Sequence, residues 1–163
     1  MADQNAEPPF IIRVQYIKDL SFENPNAPSV FTALSDKAPQ VNINLDVNST
    51  ALAERTYEVI LHVRANADVG GSAAFLVELD YAAVVTVGAT VPEAEIEVLL
   101  WRETPRFLFP YARNTLAEVT RDGGYPPLVI NPIDFDEFYK SQKRGNGTGE
   151  APQDVAASGE QPS

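Results

Sequence analysis

Strict alternation of apolar and polar residues is the feature that most constrains this fold. It is clearest from 41 to 48, which reads Val-Asn-Ile-Asn-Leu-Asp-Val-Asn. Successive side chains of a β-strand point to opposite faces, so this period of two predicts a strand with one buried and one solvated face. Segments from Phe10 onward, from about Tyr57 to Asn66 and from Phe75 to Tyr81 alternate in the same way. The polar alternates predict an antiparallel sheet that meets water on one side.

The apolar members of each segment predict its inward face. They are Phe10, Ile12, Val14 and Tyr16 in the first strand, Val41, Ile43, Leu45 and Val47 in the second, Tyr57, Val59, Leu61, Val63 and Ala65 in the third, and Phe75, Val77, Leu79 and Tyr81 in the fourth. A turn-rich loop is predicted over Ser21–Pro28, and a hairpin at Asp68–Gly71.

Helical spacing replaces the alternation from about Glu93 to Arg102. We expect Pro110 in the first turn of the next helix, which stops at Gly123-Gly124. A last helix is expected to begin at Asp134 with a capping box. The residues that should face the core are Ile96, Leu99 and Leu100, then Ala112, Leu116 and Val119, then Phe135, Phe138 and Tyr139. Strands first and helices afterwards predict an α+β fold, with helices on one face of a four-stranded antiparallel sheet.

One domain is expected from 10 to 143, between a disordered N-terminus (1–9) and a disordered C-terminal tail (144–163). The chain has no cysteine, which excludes disulfides and thiolate chemistry. It has no apolar run of about 18 residues and begins with acidic and polar residues, so we predict neither a membrane span nor a signal peptide. A cytoplasmic protein is the simplest interpretation.

The net charge of −11 limits the partners. Phosphate backbones and anionic membranes are bound through Lys and Arg, so neither nucleic acid nor a membrane surface is expected. A partner with basic patches would be steered toward this protein. The charge is also consistent with a role in solubility alone.

No residues form a convincing catalytic or metal site. His62 is the only histidine and occupies a polar alternate of the third strand. Asp134, Asp136 and Glu137 are better explained by helix capping than by acid–base chemistry. The stretch from Pro105 to Arg113 is rich in aromatics and proline but holds no nucleophile–base pair. These observations favour a binder of apolar segments, not an enzyme, and no cofactor is expected.

Leu76 is an apolar residue on the otherwise polar face of the fourth strand, beside Glu78 and Asp80. Asp19 and Glu23 flank the predicted first loop. If these regions meet, they form an acidic patch with an apolar centre, which suits a basic and partly apolar partner segment.

Two long motifs are specific: residues 18–28, Lys-Asp-Leu-Ser-Phe-Glu-Asn-Pro-Asn-Ala-Pro, and residues 108–113, Leu-Phe-Pro-Tyr-Ala-Arg. The first resembles the first-strand loop of the SecB protein-export chaperones, and the second resembles their main-helix motif. The resemblance covers about Phe10 to Tyr139. Segments 57–59, 75–78 and 131–135 are also similar. Residues 90–104 resemble the family only loosely, and the tail after Lys143 departs from it.

The resemblance implies a homotetramer, a dimer of dimers with helices between outer sheets. It implies ATP-independent binding of unfolded preproteins in apolar grooves and delivery to the SecA motor ATPase. The basic zinc-bearing tail of SecA would dock on the acidic sheet face, and the docking residues carry over onto Asp19, Glu23, Leu76 and Glu78. The zinc belongs to that partner. Candidate groove residues are Phe31, Val41, Ile43, Leu45, Leu99 and Trp101.

Two alternatives are kept. A general holdase would bind unfolded chains without any coupling to export. A small hydrolase would need a nucleophile and a base, for which the sequence supplies no convincing pair.

Overall fold

Four long antiparallel strands form one sheet in the computed structural model, which describes residues 7–145. The strands are β1 (Phe10–Glu23), β2 (Gln40–Ala53), β3 (Thr56–Val69) and β4 (Ser72–Val87), in the spatial order β1-β4-β3-β2. The predicted hairpin between β3 and β4 is confirmed. Most of the two terminal segments predicted to be disordered, 1–9 and 144–163, lies outside the described residues.

A helical layer covers one face of the sheet, as predicted for the α+β fold. It consists of α1 (Ser29–Leu34), α2 (Glu93–Val98), a π-helical segment (Leu99–Glu103), α3 (Thr104–Asp122) and α4 (Phe135–Gly145). The predicted inward residues of β3 and β4 are buried, apart from the half-buried Tyr57 at the start of β3, and form one core with the helices. We call this side of the sheet the inner face and the opposite side the outer face.

The prediction of which β1 residues face inward is wrong after Ile12. The pairing with β4 skips Arg13 and later Lys18. Each skipped residue is a β-bulge, and one extra residue reverses which side chains face inward. Val14 and Tyr16 therefore do not share the face of Phe10, and Val14 is 51% exposed.

The helical region is longer than predicted. The helices from Glu93 to Asp122 follow one another without a loop, so Pro110 lies inside α3 and not in its first turn, where Pro105 is found. In a regular α-helix a proline ring collides with the carbonyl four residues earlier. The wider π-helical segment ends at Glu103, directly before α3, and the buried hydroxyl of Thr104 donates to the carbonyl of Leu99 at 2.8 Å.

The predicted end of the helix at Gly123-Gly124 is confirmed. This helix end packs against β1. A Cβ at Gly123 would lie 2.3 Å from the ring of Phe22. Gly124 has φ +96°, and a Cβ there would meet the ring of Phe31 at 2.8 Å. Only glycine allows these rings to pack so closely against the helix end.

The predicted cap of the last helix is also confirmed. Asp134 Oδ1 accepts hydrogen bonds from the backbone N–H groups of Asp136 at 3.0 Å and Glu137 at 3.2 Å. Phe135, Phe138 and Tyr139 are buried on one side of α4, as expected.

Candidate functional site

The predicted acidic patch is assembled on the outer face, where β1 pairs with β4. The strand register places Asp19 opposite Asp80, Ser21 opposite Glu78, and Glu23 opposite Leu76. Asp19 and Glu23 therefore do not flank a loop, because β1 continues through Glu23. Three carboxylates of the patch, those of Asp19, Glu23 and Glu78, are exposed, and Leu76 is half-buried among them. We call Asp19, Glu23, Leu76, Glu78 and Asp80 the acidic patch.

The neighbouring strand β3 supplies partners for two of these carboxylates. Arg64 lies opposite Glu78 in the register, and its Nε is 3.2 Å from Glu78 Oε1. His62 lies opposite Asp80, with Nδ1 2.6 Å from Oδ1 of the carboxylate. Sequence reasoning treated His62 as an ordinary surface residue and did not single out Arg64. The signal was available in the alternation, which puts both on the polar face of β3.

A separate hydrogen-bond cluster occupies the other end of the outer face. The Tyr16 hydroxyl donates to Glu58 Oε2, and Lys18 Nζ is 2.6 Å from Oε1 of the same carboxylate. The hydrogen bonds from Lys18 and then Tyr16 lower the pKa of Glu58. Burial, together with the Glu58 contact, raises the pKa of Tyr16 to about 12. This cluster is internally neutralised, so the acidic character of the outer face is concentrated at the Asp19–Glu23 end.

The six candidate groove residues fall into two groups. Ile43 and Leu45 are buried in the core at 8% and 9% exposure, so in this conformation they are not available to a client. The other four are half-buried at the margin of the core: Phe31, Val41, Leu99 and Trp101. Sequence periodicity does not separate these groups, because both lie on apolar faces.

Val41 and Trp101 lie on or beside β2, whereas Phe31 lies at the end of α3 near Gly124. Val41 is on the edge strand itself, and Trp101 Nε1 donates to Ser49 Oγ of the same strand at 3.1 Å. The ring of Phe31 packs on Tyr125 with centroids 5.4 Å apart. A cleft of about 280 Å³ opens beside Trp101, and its other lining residues include Asp46, His62, Glu97, Tyr139 and Lys143.

A second apolar surface lies on the inner face at the β1 edge. Ile17 is 48% exposed and pairs with Tyr81, whose ring stacks on Tyr111 of α3 at 6.1 Å. Tyr111 is itself 53% exposed, and Phe107, one turn earlier, is 54% exposed. Leu20 continues the surface along β1. We call Ile17, Leu20, Phe107 and Tyr111 the apolar β1–α3 surface. Its two β1 residues could not be predicted from the alternating pattern, because the β1 bulges change which residues face inward.

Within 7–145, no group of three or more His, Cys, Asp or Glu side chains is placed to hold a metal ion. No helix in that range is long and apolar enough to cross a membrane.

Comparison with known proteins assigns the chain to a family. The family described as "Preprotein translocase subunit SecB" matches residues 3–146. A protein of Rhodospirillum rubrum named "Protein-export protein SecB" is 46% identical over 162 residues, covering 96% of this chain and 99% of the relative. Its namesake in Parvibaculum lavamentivorans is 47% identical over 140 residues, covering 85% and 82%.

The fold also matches a solved structure. It is similar to a Mycobacterium tuberculosis SecB-like chaperone in complex with a ChAD peptide from the HigA1 antitoxin. The TM-score is 0.65 at 14% identity, over 77% of this chain and 91% of the other. The fold and the close relatives agree, and the chain belongs to the SecB family of protein-export chaperones.

Proposed function

We propose that this protein binds unfolded secretory preproteins in the cytoplasm without ATP and delivers them to the SecA export motor. The observation that carries the delivery step is the acidic patch. Asp19, Glu23, Leu76 and Glu78 are distant in sequence but adjacent across the β1–β4 pair. Exposed carboxylates around an apolar side chain suit a basic tail that also offers apolar contact.

Client binding is assigned to the half-buried apolar margin of the inner face, through Val41, Leu99 and Trp101 beside β2 and Phe31 at the end of α3. These side chains are partly accessible and continuous with the core. Burial of apolar client surface there would contribute about 25 cal/mol per Å². This driving force needs no nucleotide and is not screened by salt, unlike docking on the acidic patch.

The test separates the two sites by reversing charge in the patch. One exposed charge pair contributes only about 0–1 kcal/mol, so the test reverses two charges together. Asp19→Lys combined with Glu78→Lys should weaken binding of the SecA tail about tenfold or more. Calorimetry would measure the SecA tail and an unfolded preprotein separately. We expect preprotein affinity to be unchanged.

A matched control reverses two acids that lie off the outer face, Asp36→Lys with Glu93→Lys, and should leave tail affinity nearly intact. Tail binding should also fade as salt rises, because charges are screened over about 8 Å at physiological ionic strength. An unchanged tail affinity in the patch variant would overturn the docking assignment. If the wild type holds preproteins but never binds SecA, the protein is a general holdase instead.

A further inference from the structure

Arg64 occupies a singular position beside the acidic patch. The strand register aligns residues of the four strands with Asp80, Glu78 and Leu76. Among these aligned residues, Arg64 is the one lysine or arginine on the outer face of the described sheet. Its neighbour on β2 is Asn44, and its neighbour on β4 is Glu78. The guanidinium Nε lies 3.2 Å from Glu78 Oε1, and both side chains are about half exposed.

We propose that Arg64 is an internal competitor of the docking partner. By pairing with Glu78 it occupies a carboxylate that an incoming lysine or arginine would otherwise contact, and so it sets a lower affinity for basic segments. This inference rests on the docking role proposed for the acidic patch and identifies a residue that limits it.

The competition follows from the electrostatics of an exposed pair. A cation that approaches Glu78 must displace the Arg64 guanidinium or approach it at short range. Both effects oppose binding, whereas the pair itself stabilises the fold little because it is exposed. Arg64 can therefore be replaced without a large loss of stability, which makes the proposal testable.

The experiment measures binding of a synthetic lysine–glycine peptide to wild type and to Arg64→Gln by calorimetry at low salt. We expect the variant to bind the peptide about two- to fivefold more tightly, the change that loss of one exposed pair allows. The gain should disappear as salt rises, because the interaction is screened.

Arg13→Gln is the matched control, since it makes the same change in net charge on the same face. The Arg13 side chain lies at Thr86 of β4, 3.3 Å from its hydroxyl. Thr86 is eight residues along the strand from Glu78, which corresponds to about 26 Å at about 3.3 Å per residue. Affinity for the peptide should therefore change little in this variant.

A double-mutant cycle tests whether Arg64 acts through Glu78. In a Glu78→Gln background, Arg64→Gln should tighten binding less than it does in the wild type, because there is no carboxylate left to release and only the repulsion by the guanidinium is removed. An equal gain with and without Glu78 would overturn competition by pairing. An equal gain in Arg13→Gln, or weaker binding in Arg64→Gln, would overturn it as well.

Failure of the inference is distinguishable from failure of the docking proposal. If wild type and Arg64→Gln bind the peptide equally and Asp19→Lys with Glu78→Lys abolishes binding, the patch docks basic segments but Arg64 does not limit it. If neither wild type nor Arg64→Gln binds the peptide, the inference about Arg64 is overturned, and binding of the SecA tail itself decides the docking proposal.

Discussion

Single side chains on the outer face tie together strands that are not neighbours. Glu58 on β3 accepts hydrogen bonds from Tyr16 and Lys18 on β1, and so it reaches across the whole width of β4. The side chain of Glu58 is only 15% exposed, whereas that of Lys18 is 45% exposed. The interaction therefore combines a sheltered carboxylate with a solvated cation, and its contribution to stability should be modest but dependent on pH.

Replacement of Glu58 by Gln should lower the free energy of unfolding at pH 7 by about 1 kcal/mol, the scale of a hydrogen-bonded surface pair. The folded-state pKa lies below the ordinary value of 4.5, so this stabilisation is fully present above pH 4.5 and is lost as the pH falls through the folded value. Urea denaturation at neutral and acidic pH measures both effects. Asp36→Asn is the control, and a stability difference that persists unchanged well below pH 4 would contradict the prediction.

At the scale of elements, the regular alternation of the sequence predicted the structure well. The positions at which that regularity is broken, such as bulges, were not predicted. β2, β3, β4 and the start of α4 follow from alternation, glycine turns and a cap, each of which is a local signal. The bulges of β1 follow from pairing with β4, which no local pattern of β1 reveals. Likewise, Pro110 marks a helix start by local rules, yet it occupies an exposed position inside α3.

The same limit explains how much of the site could be predicted. The acidic patch could be proposed because Leu76, Glu78 and Asp80 share one face of the predicted fourth strand, whereas Asp19 and Glu23 were expected only beside a loop and in fact lie within β1. The pairing of Glu78 with Arg64 depends on register, which a single sequence does not fix. The core position of Ile43 depends on which half of the inner face the helices cover.

The π-helical segment provides a prediction at this scale. Thr104→Val should lower the free energy of unfolding by about 1–3 kcal/mol, because the Leu99 carbonyl loses the hydroxyl that donates to it in a buried site. Thr104→Ser retains the hydroxyl and serves as the matched control; it should lose less stability. Chemical denaturation of the three proteins tests this. A loss of stability in Thr104→Ser with none in Thr104→Val would show that the methyl group, not the hydrogen bond, matters at this position.

At the scale of the whole molecule, the two faces of the sheet differ in character. The outer face carries the acidic patch, for which we propose partner docking, and the inner face forms the core with the helices. The inner face is covered incompletely, because the apolar β1–α3 surface remains exposed. An apolar surface that extends from an edge strand to a long helix is typical of an interface between protein chains. We propose that it is covered by further copies of this chain in a homotetramer, a dimer of dimers.

Ile17→Asp combined with Tyr111→Asp should therefore dissociate the assembly, since each buried interface would acquire unpaired carboxylates. Sedimentation velocity at micromolar concentration should give a tetramer for the wild type and dimers or monomers for the variant. Val14→Asp with Leu52→Asp is the matched control, because these residues are similarly exposed, at 51% and 55%, and lie outside the apolar β1–α3 surface. A tetrameric Ile17/Tyr111 variant would place the interface elsewhere, and a monomeric wild type would exclude the assembly itself. Preprotein binding by the dissociated variant would then reveal whether one chain holds a client alone or whether the groove needs neighbouring copies.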